Sequence, residues 1–325
     1  MGKNDSLERI NGKFKDKHIL SLDQFSQKDL ELLFKTTKKI KATKNKTKII
    51  NILKGSVVTL LFYEPSSRTF GSFAAAVKRL GGETIEILDP TTFSSVSKGE
   101  TLEDTVRVFE TYSDAIVMRH PQKGAAREAA NVLNCPLINA GDGVGEHPTQ
   151  TFLDLYTIYE KFKTLNSLTG VIAGDVLNGR TIHSLIKGLS KFKKNTLYLL
   201  SPKELLLKRS DLLELKKEGI ELIEIVSEKD MPKNADFWYW TRVQKERFKN
   251  SEEYEKVKNK FILDNELINK FASKNTIFMH PLPRVGEILT EVDSDPRALY
   301  LTTQMENGMY VRMALLTLIL GRKIG

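Results

Sequence analysis

A chain of 325 residues with 40% hydrophobic content can bury sizeable cores, and its length suits two domains better than one. No apolar run reaches the ~20 residues of a transmembrane helix, and the opening MGKNDSLERINGKFKDK lacks the apolar centre of a signal peptide, so a membrane location is not expected. The lone Cys135 excludes an internal disulfide and a multi-thiolate zinc site and fits a reducing, cytoplasmic setting, while the net charge of +9 is scattered and comes with no nucleic-acid recognition motif.

Along the chain, apolar runs alternate with helix-period segments, the pattern of an α/β protein with parallel sheets. The strand candidates of the first half are SVVTLLFY, ETIEIL, DAIVMR and PLINAG. Those of the second half are TGVIAGDV, TLYLLS, IELIEIV, DFWYWT and TIFMH. Between the halves, GDGVGEHPTQ concentrates glycines and a proline before the amphipathic TFLDLYTIYEKF, and a domain junction is expected there. The last segment, NGMYVRMALLTLIL, is too short to span a bilayer and is expected to pack on a core by returning to the first domain.

The most informative stretch is GSVVTLLFYEPSSRTFGSFAAAVKRLGG. After the apolar run, Phe70, Phe73, Ala74, Val77 and Leu80 follow helical spacing, and Gly81-Gly82 marks a stop, so a helix begins near Ser66 to Thr69. Free N–H groups and the positive end of the helix dipole favour an anion there, and Arg68 adds a guanidinium fork suited to phosphate. The competing reading is that Ser66 or Ser67 is only a helix cap. Two more strand ends deliver polar groups: Arg119 and His120 after DAIVM, and His147 and Gln150 after INAGDGVGE. Ligands of parallel sheets sit at the carboxyl ends of strands, so these side chains are candidates for one site. In the second half, Arg180 stands at a helix start and Arg242 follows an aromatic strand, whereas Trp238 and Trp240 read as packing residues and Asp175 as structural.

The segments SSRTFGSF, SKGETLEDT, DAIVMRHPQKGAA, NAGDGVGEHPTQTFLDL, GDVLNGRTIHSL, YWTRVQKERF and HPLPRVGEI occur in an order that resembles the aspartate/ornithine carbamoyltransferase family, over about Ile19 to Leu320. The resemblance implies two doubly wound parallel-sheet domains with an active site between them: residues 1–149 plus 300–325 binding carbamoyl phosphate, and residues 150–299 binding the amino acid. It puts Ser66, Ser67, Arg68 and Thr69 on the phosphate and has Arg119 bridging phosphate and carbonyl oxygen. His147 would donate to that carbonyl, and Gln150 with the backbone carbonyls of Leu282 and Pro283 would hold the carbamoyl NH₂. Arg68, Thr69, Arg119, His147 and Gln150 form the implied catalytic set. Arg180 and Arg242, with Gln244, match the positions that clamp two carboxylates. Ser94 and Lys98 match residues that reach a neighbouring subunit's site, which implies a homotrimer. No metal or organic cofactor is implied, and the five histidines show no zinc spacing with Cys135.

Pro281 stands where ornithine enzymes carry a Cys, and the chain lacks their Ser-Met-Gly signature, so L-aspartate is expected over L-ornithine as acceptor. A catalytically silent binding subunit is the remaining alternative, disfavoured by retention of the whole implied set. Where the family often has a second basic residue, this chain has Phe70. A regulatory or dihydroorotase subunit is a further partner on which the sequence is silent.

Overall fold

The computed structural model describes residues 7–324 apart from 94, 218, 245–247, 249 and 259. The chain divides into two compact units, one made of the described residues of Met1–Leu153 with Asn307–Gly325, the other of Asp154–Glu306.

The first unit is built on a four-stranded parallel sheet. Its strands are β1 (Val57–Phe62), β2 (Glu83–Leu88), β3 (Ala115–His120) and β4 (Leu137–Asp142), in the order β2-β1-β3-β4. β1, β3 and β4 are buried almost end to end, as their continuous apolar runs require of strands covered on both faces. β2 lies at the edge, and its Glu86 pairs with Lys78, a charged finish typical of an edge that must not recruit another strand. Helix Thr303–Ile319 belongs to this unit from Asn307 onward, and its Val311, Ala314, Leu315, Leu316 and Ile319 are wholly buried.

The second unit holds five parallel strands, β5 (Thr169–Ala173), β6 (Thr196–Leu200), β7 (Glu221–Ile225), β8 (Phe237–Trp240) and β9 (Ile277–Met279), in the order β7-β6-β5-β8-β9. Trp238 and Trp240 are buried in the apolar core between this sheet and the segment Phe261–Tyr300, with ring centroids 5.7 Å apart, so they are packing residues as expected. All nine strands anticipated in the sequence form.

Each sheet winds outward in both directions from one strand. In the first unit the winding reverses between β1 and β3, in the second between β5 and β8. At such a switch point the loops leaving neighbouring strands part to opposite faces and open a crevice at the carboxyl ends. Arg68 and Thr69 follow β1 and Arg119 lies at the carboxyl end of β3; Arg180 and Arg242 follow β5 and β8. Among the described residues no helix is long and apolar enough to cross a membrane.

Candidate active site

In the first unit, β1 ends at Phe62 and helix Ser67–Arg79 begins five residues later. Ser66 occupies the cap position, but its side chain makes no capping hydrogen bond, so the simple cap reading of Ser66 does not hold. Ser67 and Arg68 are exposed and Thr69 is buried in the first turn. Burial and the neighbouring charge of Arg119 push the Arg68 guanidinium below its ordinary pKa, so two cations face the same space. An anion between them relieves that repulsion.

Arg119 is the most constrained member. Only 7% exposed, it donates from Nη1 to the Ala140 carbonyl at 3.2 Å, and its Nη2 lies 2.8 Å from Glu64 Oε2. Its Nε–H is buried with no hydrogen-bond partner among the described residues. A buried donor left unpaired is costly and is found chiefly where a ligand or ion completes it. Gly141 sits opposite in a left-handed conformation (φ 123°), and a Cβ there would lie 2.7 Å from Arg119 Nη1 and 3.6 Å from His147 Cδ2. The glycine thus makes room for both side chains.

His147, 6% exposed, stands 3.4 Å from Thr69 Oγ1 through Nε2 and 3.3 Å from Thr149 Oγ1 through Nδ1. Arg312 Nη2 donates to Thr149 Oγ1 at 3.5 Å. Arginine has only donors, so Thr149 accepts from it. The same Arg312 donates from Nη1 to Ser72 Oγ at 2.8 Å and lies 5.0 Å over the Phe73 ring, tying the C-terminal helix to helix Ser67–Arg79. Gln150, in the first turn of helix Pro148–Phe162, is half-buried, and its N–H donates to the His147 carbonyl at 3.0 Å. Phe70 packs edge-on against Phe62, centroids 5.3 Å apart, so an aromatic contact to β1 holds the helix at its first turn.

In the second unit, Asp175 follows β5 and is fully buried. Its Oδ1 accepts from the Asn178 N–H and Nδ2, both at 3.0 Å, and its Oδ2 accepts from the Gln244 N–H at 3.4 Å. Gln244 Nε2 closes the ring by donating to the Asn178 carbonyl at 3.1 Å. Burial pushes the Asp175 carboxyl up despite these bonds, a cost accepted where one group must join two loops. Those loops carry Arg180, first residue of helix Arg180–Ser190, and Arg242, both half-buried. Asp175 is structural, as read from sequence, and its task is to hold Gln244 and the two arginine loops together.

Leu282 and Pro283 follow β9 on a tightly bonded loop. Lys98 ends the 3₁₀ turn Ser95–Lys98 and is exposed, whereas Ser94 lies outside the described residues. Cys135 is partly buried, its thiol pushed up to about 12 by burial and by Glu110, in keeping with an inert role. Sequence reading missed Glu64, Gly141, Thr149 and Arg312. Glu64 alone left a local signal, a carboxylate between strand and donor cluster.

Residues 17–160 match the family described as aspartate/ornithine carbamoyltransferase, carbamoyl-P binding domain, and residues 166–319 match its Asp/Orn binding domain. The chain belongs to the aspartate/ornithine carbamoyltransferase family. It is 46% identical to the aspartate carbamoyltransferase catalytic subunit of Clostridium perfringens, over 94% of this chain and 99% of that one. It is 47% identical to the multifunctional protein pyr1-3 of Dictyostelium discoideum over 94% of this chain, which spans only 14% of that relative. Among solved carbamoyltransferases, the catalytic subunit of M. jannaschii aspartate transcarbamoylase superposes with a TM-score of 0.86 at 42% identity, covering 92% of this chain and 96% of that one. Trypanosoma cruzi aspartate transcarbamoylase in complex with N-(phosphonacetyl)-L-aspartic acid gives 0.87 at 39% identity, covering 94% and 97%.

Proposed function

We infer that the chain transfers the carbamoyl group of carbamoyl phosphate to the α-amine of L-aspartate, giving N-carbamoyl-L-aspartate and phosphate, a step of pyrimidine biosynthesis. The observation that carries this reading is the buried Arg119, its Nε–H unpaired, at the switch point between β1 and β3 that Thr69 follows, with His147 3.4 Å from Thr69, in a member of this family.

In this reading the phosphate rests on Ser66, Ser67, Arg68 and Thr69 at the helix N-terminus, with Arg119 shared between phosphate and carbonyl oxygen. The uncharged amine attacks the carbamoyl carbon, a C–N bond forms, and negative charge gathers on the carbonyl oxygen. Thr69, Arg119 and His147 are donors suited to that oxygen, an arrangement worth about 3–4 kcal/mol per well-placed donor. The C–O bond to phosphate then breaks, its electron pair leaving with phosphate while the amine gives up a proton. Gln150 and the carbonyls of Leu282 and Pro283 orient the NH₂. Arg180 and Arg242, with Gln244, pair with the two carboxylates, a charge pattern that suits aspartate and repels a cationic acceptor side chain.

The first unit is assigned to carbamoyl phosphate and the second to aspartate. A cytoplasmic homotrimer in which Ser94 and Lys98 serve a neighbouring site completes the reading. A regulatory or dihydroorotase subunit is a further option as partner of this chain, which spans only 14% of relatives named multifunctional proteins. Phosphate release measured with carbamoyl phosphate and either L-aspartate or L-ornithine tests the assignment. Turnover with aspartate alone is expected; turnover with ornithine alone would replace the acceptor, and none with either would leave a silent subunit.

A further inference from the structure

The loop after β9 reads His280-Pro281-Leu282-Pro283-Arg284-Val285 and is anchored by two buried side chains for which the reaction as described has no use. His280 is 1% exposed and Glu287 4%. The Leu282 N–H donates to His280 Nδ1 at 2.7 Å, so that nitrogen bears a lone pair and the ring proton of the neutral imidazole is on Nε2. Nε2 then donates to Glu287 Oε1 at 2.7 Å, and Glu287 Oε2 accepts from the Val285 N–H at 2.9 Å. Although burial alone would raise it, the His280 bond holds the Glu287 carboxyl below its usual range. At the other end, the His280 N–H donates to Gln304 Oε1 at 3.0 Å, whose Nε2 donates to Asp154 Oδ1 at 2.7 Å.

Pro281 and Pro283 have no N–H, so the Leu282 N–H is the only main-chain donor between His280 and Arg284 and the His280 ring takes it. Leu282 is in the left-handed region (φ 56°), which an isolated leucine seldom occupies and which the surrounding bonds must enforce. One His–Glu couple therefore clamps the loop on both sides of the Leu282-Pro283 pair, at the N–H of Leu282 and the N–H of Val285.

We propose that His280 and Glu287 are positioning residues that aim the Leu282 and Pro283 carbonyls at the NH₂ of the carbamoyl donor and thereby select a carbamoyl over an acyl group. This rests on the function inferred above. Two fixed acceptors reward a donor-bearing substrate and offer nothing to a methyl group of the same size, and their worth depends on direction being held before the substrate arrives. A histidine reaching forward two residues is a firmer clamp than a loop carbonyl, because its ring is itself locked by a buried carboxylate.

Acetyl phosphate, in which CH₃ replaces NH₂, is the discriminating probe. For His280→Ala, the KM for carbamoyl phosphate is expected to rise about tenfold, as loss of an aimed hydrogen bond would give. The inhibition constants of acetyl phosphate and of inorganic phosphate should stay within about twofold of wild type. His280→Asn retains a side-chain oxygen able to accept the N–H two residues on and should restore most of the discrimination. Glu287→Gln, a milder change that leaves an acceptor for Nε2–H, should fall between the two and serves if the alanine variant does not fold. Parallel weakening of carbamoyl and acetyl phosphate, or no change in either, would overturn the proposal. Wild-type turnover is read first: its absence would defeat the underlying function, whereas loss of discrimination in the variants alone bears on the positioning role.

Discussion

At the scale of single residues, the donor cluster depends on a position that contributes no functional group. Gly141 leaves space at the end of β4 for the Arg119 guanidinium and the His147 ring, and its φ of 123° suits no other residue well. Gly141→Ala would place a methyl 2.7 Å from Arg119 Nη1. Either the arginine moves or the backbone does, and the backbone route costs about 1–3 kcal/mol. The variant is therefore expected to fold with a lowered Tm and to bind carbamoyl phosphate at least about tenfold more weakly, since a displacement of about an ångström at a positioning group has such effects. Steady-state kinetics with a thermal melt checks this, and an unchanged KM would mean that Arg119 is not held where substrate needs it. His147 teaches a related lesson: its two ring nitrogens face Thr69 and Thr149, and Thr149 is itself held by an arginine 165 positions away from the histidine.

At the scale of elements, helix Ser67–Arg79 shows what replaces the second basic residue common in the family. Phe70 turns its edge to Phe62 on β1, and Arg312 reaches Ser72 and Phe73 from the C-terminal helix. The first turn is thus tethered by an apolar contact where a charged one would otherwise act. Phe70→Ala should lower stability by about 1–3 kcal/mol, the half-buried ring giving less than a core phenylalanine. It should also loosen phosphate binding, measurable as a smaller Tm rise on adding inorganic phosphate; an undiminished rise would show that the helix needs no tether at Phe70. The strands and this helix were legible in the sequence because periodicity and a donor cluster at a strand end are local signals. Gly141 beside both site side chains and Arg312 under Ser72 were not, and Glu64 showed only as a carboxylate without its partner, because each acts on side chains brought near by the fold, Arg119 for Glu64 and Gly141 and Ser72 for Arg312. Asp175 was rightly read as structural, yet its bond to the Gln244 N–H, 69 residues on, could not be foreseen.

At the scale of the whole molecule, the residues assigned to phosphate follow β1 or end β3, the two middle strands of the first unit's sheet, whereas Lys98 is carried on the segment that follows the edge strand β2. An exposed cation on an edge connection is poorly placed to be fixed by its own sheet and well placed to serve another chain. If Lys98 completes a neighbour's site, Lys98→Ala and Arg68→Ala chains are each inactive alone for different reasons: one withholds a group from its neighbour, the other lacks a group of its own. In mixed trimers from equal amounts, an intact Arg68 meets a neighbour's intact Lys98 at roughly one site in four. Activity is therefore expected to recover to about a quarter of wild type after dissociation and reassociation of the mixture. Tagging one variant and recovering both from a single trimer establishes exchange. Recovery under those conditions requires a site shared between chains, since no chain in the mixture carries both residues. Exchange without recovery would assign Lys98 to its own chain, and the unit that turns over would then be a single subunit.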